Sequence, residues 1–278
     1  MESMSVISKG PQVNKNIVLM LACTAAATVS TAARAQTATG FAINAEGYYY
    51  EFDEPGFDRQ SGPYGTVGGS YTGYYFDTFW TADLRFGAGV TDFTSSASGT
   101  INNIWDYSSE LRLIATRDIE LSSDIILQPS LGLGYRVLYD NAGGAISSNG
   151  SIAINRLTQY LYWPVGIGFS FPAGSVTFKP SFEYDFLIDG NVTAYTAGLG
   201  GIDNNLSNDL NSGSGFRVKL DTEVQTTNGK LTFGPFLHYW SVRVSDLAPI
   251  NAGGQTVADA FEPISHTWEA GFGASLKF

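Results

Sequence analysis

The sequence predicts an all-β chain folded as one antiparallel up-and-down β-barrel of about ten strands. Three observations carry that prediction. Period-two alternation of apolar and polar side chains recurs from residue 41 onward, the connections alternate in length, and the last segment alternates to its final residue. There Trp268, Ala270, Phe272, Ala274, Leu276 and Phe278 share one face, while Glu269, Gly271, Gly273, Ser275 and Lys277 share the other. Successive side chains of a strand point to opposite sides of the sheet, so this pattern makes one apolar and one polar surface.

The first segment, 41–51, sets Ile43, Ala45 and Tyr49 against Asn44, Glu46 and Tyr48. The second, 66–76, sets Val67, Tyr71 and Tyr75 against Ser70, Thr72 and Tyr74, and the third, 79–93, sets Trp80, Leu84, Phe86 and Val90 against Asp83, Arg85 and Thr91. The fourth, 101–116, opposes Trp105, Tyr107, Leu111 and Leu113 to Asp106, Glu110 and Arg112, and the fifth, 124–139, opposes Leu131, Leu133, Tyr135 and Val137 to Gln128, Ser130 and Arg136. The sixth, 153–171, places Leu161, Trp163, Val165 and Ile167 opposite Arg156, Tyr160, Tyr162 and Gly166, and the seventh, 175–188, places Phe178, Phe182, Tyr184 and Phe186 opposite Lys179, Glu183 and Asp185. The eighth, 215–225, is the sharpest: Phe216, Val218, Leu220 and Val224 face away from Arg217, Lys219, Asp221 and Glu223. The ninth, 230–245, loses its phase at Tyr239-Trp240, which predicts a bulge; the tenth runs over 264–278. Self-pairing within 189–213, or a misread ninth segment, would change the count to eight or twelve.

Short turns follow the second, sixth and eighth segments at 77–78, 172–174 and 227–229. Their Pro-x-Gly and Asn-Gly chemistry presets a bend or supplies a positive φ. A somewhat longer link, 117–123, follows the fourth. Long polar loops are expected after the odd segments, near 52–65, 94–100, 140–152, 189–213 and 246–263.

Composition places such a sheet in lipid. Aromatic residues make up 14% of the chain, charged residues only 15%, and Gly 32 of 278 residues, whereas soluble domains are about a quarter charged. No stretch after residue 40 has the ~18 uninterrupted apolar residues of a membrane helix. Hydrocarbon offers no partner to a backbone amide, so a sheet that crosses it must close on itself.

The N-terminal stretch reads as a secretory signal. Lys9 and Lys15 precede the apolar run 17–23, and Ala33-Arg34-Ala35 has the small-x-small form of a cleavage site. Cleavage between Ala35 and Gln36 divides the chain into a signal, 1–35, and a single barrel domain, 36–278. Leu21-Ala22-Cys23 partly matches a lipoprotein signal, but Met20 fits it poorly. Loss of 1–35 removes Cys23, the one cysteine, and so any thiol or disulfide chemistry. It also removes Lys9, Lys15, Arg34 and Glu2, taking the net charge from −11 to −13. A chain this acidic, without a basic patch, repels nucleic acid.

The signal, the alternation, the terminal Phe278 and segments such as GLGYRVLYDN (132–141) resemble small Gram-negative outer-membrane β-barrels of the porin-like and opacity-protein kind. The resemblance implies export to the outer membrane, contact with its lipids and lipopolysaccharide, and a C-terminal signal for the barrel assembly machinery formed by Trp268, Phe272, Leu276 and Phe278. It also implies short periplasmic turns, long outer loops, and aromatic girdles with Tyr75, Trp80 and Phe278 at the periplasmic rim. Tyr49, Trp105, Tyr107, Tyr139, Phe186 and Trp268 belong at the outer rim.

Closure turns the polar faces into a lumen lining. Its expected cations are Arg85, Arg112, Arg136, Arg156, Lys179, Arg217 and Lys219; its acids are Glu46, Asp83, Asp106, Glu110, Glu183, Asp185, Asp221, Glu223 and Glu269. Charges this close to balance predict ion pairs filling a narrow barrel. The lumen glycines, Gly87, Gly89, Gly132, Gly134, Gly166, Gly168, Gly271 and Gly273, are expected to leave room for water. Excess acid falls to the loops, at Asp53, Glu54, Asp58, Asp203, Asp209, Asp246, Asp259 and Glu262.

No catalytic constellation stands out. His238 (FLHYW) and His266 (ISHTW) lack the acid two positions earlier that omptin proteases pair with their histidine, and both read as structural or interfacial. Ser265 and His266 are neighbours on a strand, so they face opposite ways and form no local dyad. The loop DNNLSND, 203–209, lacks the glycine and glutamate of an EF-hand. The sequence therefore predicts a non-enzymatic barrel without metal or cofactor, largely occluded, displaying acidic outer loops for envelope structure or surface contact. A narrow channel for small solutes or ions is the alternative, and an outer-membrane enzyme a remote one. The surface ligand is not legible.

Overall fold

The computed structural model describes residues 37–278; the signal segment, Cys23 and the Ala35–Gln36 junction lie outside the described residues. Ten long strands form the wall: β1 (Gly40–Glu54), β2 (Asp58–Tyr75), β3 (Thr78–Ser95), β4 (Gly99–Thr116), β6 (Ile125–Asp140), β7 (Arg156–Ala173), β8 (Val176–Ala194), β10 (Gly213–Thr226), β11 (Gly229–Val242) and β14 (Ser265–Lys277). Four short strands accompany them: β5 (Ile119–Ser122), β9 (Leu206–Asp209), β12 (Ala248–Ala252) and β13 (Gln255–Ala260). Each wall strand pairs antiparallel with the next, β8 with β10 across the β9 loop. The cylinder closes where β1 meets β14, from Ala42↔Lys277 to Asp53↔His266. Closure leaves the ten-stranded wall without an exposed edge, as the low-dielectric setting demands.

Alternation places the apolar set outside. Ile43, Val67, Leu84, Phe86, Leu111, Leu131, Leu133, Phe182, Leu220 and Phe272 are each more than 40% exposed, and together they form a belt around the wall. Tyr49, Trp105, Tyr107, Phe186 and Trp268 crown it on one side; Tyr75, Trp80 and Phe278 border it on the other. No helix among the described residues is long and apolar enough to cross a membrane; the strands do so.

The strands are longer than a membrane needs. β8 has 19 residues, roughly 60 Å of chain; at a tilt of about 40° it rises roughly 45 Å past an apolar band of about 25 Å. The surplus lies at the outer end, and this revises the loop expectations. The stretches 52–65 and 94–100 are mostly strand, with the chain turning only at 55–57 and 96–98. Their polar residues belong to barrel wall that stands clear of the lipid, where alternation no longer separates apolar from polar.

The two longest outer connections remain irregular and pack on each other. β9 pairs with β8, β12 and β13 form a separate hairpin, and Ile202 bridges to Ala252. Asn208 Nδ2 ties them, donating to the carbonyls of Asp246 (2.8 Å) and Ala260 (3.0 Å). At the periplasmic end Thr37 donates through its amide (2.8 Å) and hydroxyl (2.7 Å) to Asp118, and Lys277 Nζ donates to the Ala38 carbonyl (2.6 Å).

The bulge expected at Tyr239-Trp240 is absent: β11 keeps one register against β10 and β14 through both residues. The phase is lost because Trp240, only 1% exposed, points into the lumen while Tyr239 faces outward. Register shifts occur elsewhere in the wall, between Thr91 and Phe93 in β3 and between Leu161 and Tyr162 in β7.

Candidate functional site in the lumen

The lumen is crossed by charge pairs. In the ring of wall strands β6 is fifth and β14 tenth, hence diametrically opposed, yet Arg136 of β6 bonds Glu269 of β14 and both are 3% exposed. Glu110 of β4 receives three donors: Arg85 of β3, Tyr162 Oη of β7 at 2.6 Å, and both guanidinium nitrogens of Arg217 from β10, Nη1 at 3.1 Å. Arg217 also donates through Nε to Asp185 Oδ2 (2.9 Å) and lies 3.3 Å from Glu183. Glu183 pairs with Arg112, and Arg85 reaches on to Glu46 of β1. Strand geometry explains why these residues meet. Arg85↔Glu110 and Arg217↔Glu183 are direct cross-strand partners, with side chains on the same face of the sheet. The remaining links span the bore, which ten strands leave narrow enough for side chains to bridge.

An aromatic layer lies on this ionic one. Tyr160, Tyr162 and Trp240 pack with Val192, Leu210 and Val242, while Tyr48, Tyr50, Tyr64 and Phe236 form a second cluster. The lumen glycines serve these rings. Tyr48↔Gly271, Tyr64↔Gly89 and Tyr162↔Gly134 are each direct cross-strand pairs. A Cβ on Gly89 would lie 2.0 Å from the Tyr64 ring, and one on Gly134 would lie 2.1 Å from Tyr162 Cζ. The expectation that these glycines leave room for water is thus corrected at Gly89 and Gly134, where a tyrosine ring fills the space; at Gly271 a Cβ would meet the Gly47 carbonyl oxygen and Tyr48 Cβ. His238 is also a lumen residue, its Nδ1 3.1 Å from Glu269 Oε2. His266 sits on the outer wall, 2.8 Å from the Tyr239 hydroxyl.

Toward the periplasm the bore widens into a vestibule of about 440 Å³ lined by Glu46, Asp83, Arg85, Arg112, Lys179, Glu183, Lys219, Asp221, Glu223 and Lys277. Lys179 bonds Glu223 (2.5 Å), and Lys219 lies 3.5 Å from Glu46. Asp83 accepts from Asn44 Nδ2 (3.1 Å) and, like Asp221, joins no ion pair among the described residues.

At the opposite mouth Arg156 lies 3.5 Å from Glu54 and 3.4 Å from Glu262. Asp106 accepts from Gln60 Nε2 (2.8 Å) and Thr91 Oγ1 (2.7 Å). The charged lining residues read from sequence thus fall into three groups. A central cluster holds Arg85, Glu110, Arg112, Arg136, Glu183, Asp185 and Arg217 with Glu46 and Glu269. The vestibule holds Asp83, Lys179, Lys219, Asp221 and Glu223, and Asp106 and Arg156 stand apart at the outer mouth. The sequence reading missed Tyr64 and Gln60, which fall in a stretch taken as loop, and it assigned Glu54, Asp58 and Glu262 to solvent. The strand Tyr64-Gly65-Thr66-Val67 continues the alternation backward and is the signal that would have found them.

Glu54 ends β1 well beyond the outer girdle and is 4% exposed. Burial raises its carboxyl from 4.5 to about 8; Arg156 opposes the rise, and the neighbouring Asp58 and Glu262 add to it. Burial likewise raises Asp58. A folded-state pKa above the unfolded value means the folded hairpin holds the proton more tightly. The resulting stabilisation is complete below about pH 4.5 and is lost as pH climbs through 8. Amides of residues 52–60 should therefore exchange hydrogen faster at pH 9 than at pH 5 after correction for intrinsic rates. Glu54→Gln should remove the difference; equal protection at both pH values would contradict the assignment.

No protein-family model matches the chain, and no curated protein does. Among solved structures, the outer-membrane protease OmpT from Escherichia coli is similar over 88% of this chain and 100% of its own, with 9% identity and a TM-score of 0.57. The transport unit of the autotransporter AIDA-I from Escherichia coli covers 86% of this chain and 90% of its own at 8% identity, with a TM-score of 0.42. Neisserial surface protein A covers 87% of this chain and 100% of its own at 11% identity, with a TM-score of 0.34. At such identities the likeness concerns the fold, and the OmpT barrel is the one of these three that carries it. With its closed ring of ten antiparallel strands and its apolar outer belt, the chain has the fold of a Gram-negative outer-membrane β-barrel.

Proposed function

We propose that this barrel is a sealed, non-enzymatic outer-membrane protein that presents an acidic outer surface for envelope structure or surface contact. The observation that carries the reading is the Arg136–Glu269 pair, which joins diametrically opposed strands through the middle of the bore. With the Arg85–Glu110–Arg217 cluster and the tyrosine layer it supports a lumen closed to solutes. The acids Asp203, Asp209, Asp246 and Asp259 lie among the outer connections, and Asp53 near the outer end of β1, where lipopolysaccharide and other surface partners are met. Biogenesis in this reading uses the cleaved signal at Ala35–Gln36 and recognition of Trp268, Phe272, Leu276 and Phe278 by the barrel assembly machinery. A second reading, a narrow solute channel, is favoured by the 440 Å³ vestibule, which admits small solutes partway from the periplasm.

Planar-bilayer recording separates the two. The refolded barrel should show no reproducible open steps, and the Arg136→Ala, Glu269→Ala double variant should leak. Reproducible steps from the unaltered protein, with ion selectivity altered by Arg112→Ala, would establish the channel reading instead.

A further inference from the structure

Above the plug, at the outer mouth, a cavity of about 40 Å³ is lined by Gln60 of β2, Asp106 of β4, Asp140 of β6 and Arg156 of β7. Asp106 and Asp140 are direct cross-strand partners, so two carboxylates stand side by side on the lumen face. Like charges so placed repel unless something lies between them. Asp106 is 6% exposed. Its Oδ2 takes the hydrogen bonds from Gln60 and Thr91, while its Oδ1 is buried with no partner, as is Asp140 Oδ1. Arg156, the cation of the lining, is drawn toward Glu54 and Glu262.

We propose that this cavity binds one hard divalent cation, Ca²⁺ or Mg²⁺, between the Asp106 and Asp140 carboxylates. Charge favours it: the guanidinium of Arg156 is divided among Glu54, Asp58, Asp140 and Glu262, and no ion pair among the described residues reaches Asp106. Size permits it. A water needs about 10–15 Å³ of such space, so this cavity has room for an ion with a water or two. Donor chemistry agrees. Gln60 spends its amide nitrogen on Thr91 and Asp106 Oδ2, which leaves one unpartnered oxygen on each carboxylate for the ion, with water to complete its shell. Two carboxylates completed by water suit either ion. Bound there, the cation ties β4 and β6 together at the mouth and offsets two of its negative charges.

Terbium tests the site directly, because Tyr50, Tyr64 and Tyr160 line the same cavity and can sensitise Tb³⁺ emission. Chelator-stripped, refolded barrel should show saturable Tb³⁺ luminescence that excess Ca²⁺ reverses. Asp106→Asn and Asp140→Asn should each lower it at least tenfold, while Asp83→Asn in the vestibule leaves it unchanged; heat-modifiable gel migration checks that each variant folds. Independently of any variant, Ca²⁺ should raise the thermal transition of the unaltered barrel by several degrees over its value in EDTA. A wild-type protein with no saturable signal, signal retained in both Asn variants, or an unmoved thermal transition would each overturn the proposal. The carboxylate pair would then be neutralised by a proton rather than a metal ion.

Discussion

Glu110→Ala should lower the unfolding free energy of the reconstituted barrel by about 3–5 kcal/mol, the range for removing one partner from a buried ion pair. The residue warrants the upper part of that range because it serves three donors at once. Arg85, Arg217 and the Tyr162 hydroxyl all converge on its carboxylate, and Arg217 and Glu110 are each 3% exposed. Without it two guanidinium groups face each other with Glu46, Asp185 and the Glu183 that Arg112 also holds left to balance them. Arg217, 3% exposed beneath the tyrosine layer, retains most of its desolvation penalty, whereas Arg85 borders the vestibule and recovers part of its own. Glu110→Gln keeps the shape and a hydrogen-bond acceptor and should fall between wild type and Ala. In the Glu110→Ala, Arg217→Ala double variant the two losses should fall short of adding, because the second removes a charge the first has stranded. Reversible urea unfolding in lipid vesicles, followed by tryptophan fluorescence, measures all three. A change below about 1 kcal/mol for Glu110→Ala would mean that solvent penetrates the plug and screens it.

The second large effect belongs to a residue with no side chain. Gly134→Ala should destabilise the barrel by about 3 kcal/mol, the top of the usual range for overpacking. Its new methyl group would meet Tyr162 Cζ at 2.1 Å and Oη at 2.4 Å. That ring cannot swing away: it is 0% exposed, edge-on to Trp240, and its hydroxyl donates to Glu110. Gly168 is the internal control. It lies on the lumen side of β7, but a Cβ there would meet Gln128 Cβ at an ordinary 3.5 Å. Gly168→Ala should therefore change stability by less than about 0.5 kcal/mol, as substitutions away from tight packing do. Equal effects at the two sites would show that lumen glycines are needed for chain flexibility and not for the rings laid across them.

These glycines also mark how far alternation can be read. A period of two assigns a residue to one face or the other, and on that basis Tyr48, Tyr162 and Gly134 all go to the lumen. It does not say that Tyr162 and Gly134 are opposite one another, because pairing depends on register, and register follows from the whole ring of strands. Tyr239-Trp240 shows a second limit. In lipid the outer face is reliably apolar, but the inner face accepts an aromatic ring as readily as a charge, and Trp240 takes such a place. The stretch 52–65 shows a third. Where the wall rises clear of the membrane both faces accept polar residues, the pattern fades, and strand is mistaken for loop.

By itself the sequence determined the closed antiparallel architecture, a count of ten wall strands with eight or twelve left open, and the inward-facing set wherever the alternation is clear, since each follows from local periodicity and the need to satisfy backbone amides in hydrocarbon. Which inward charges meet was decided only by closure. Arg136 and Glu269 are 133 residues apart in the chain and touch because the ring places their strands on opposite sides of a bore one side-chain pair wide. The register of β4 against β6 set Asp106 beside Asp140, and closure left the vestibule open below the plug.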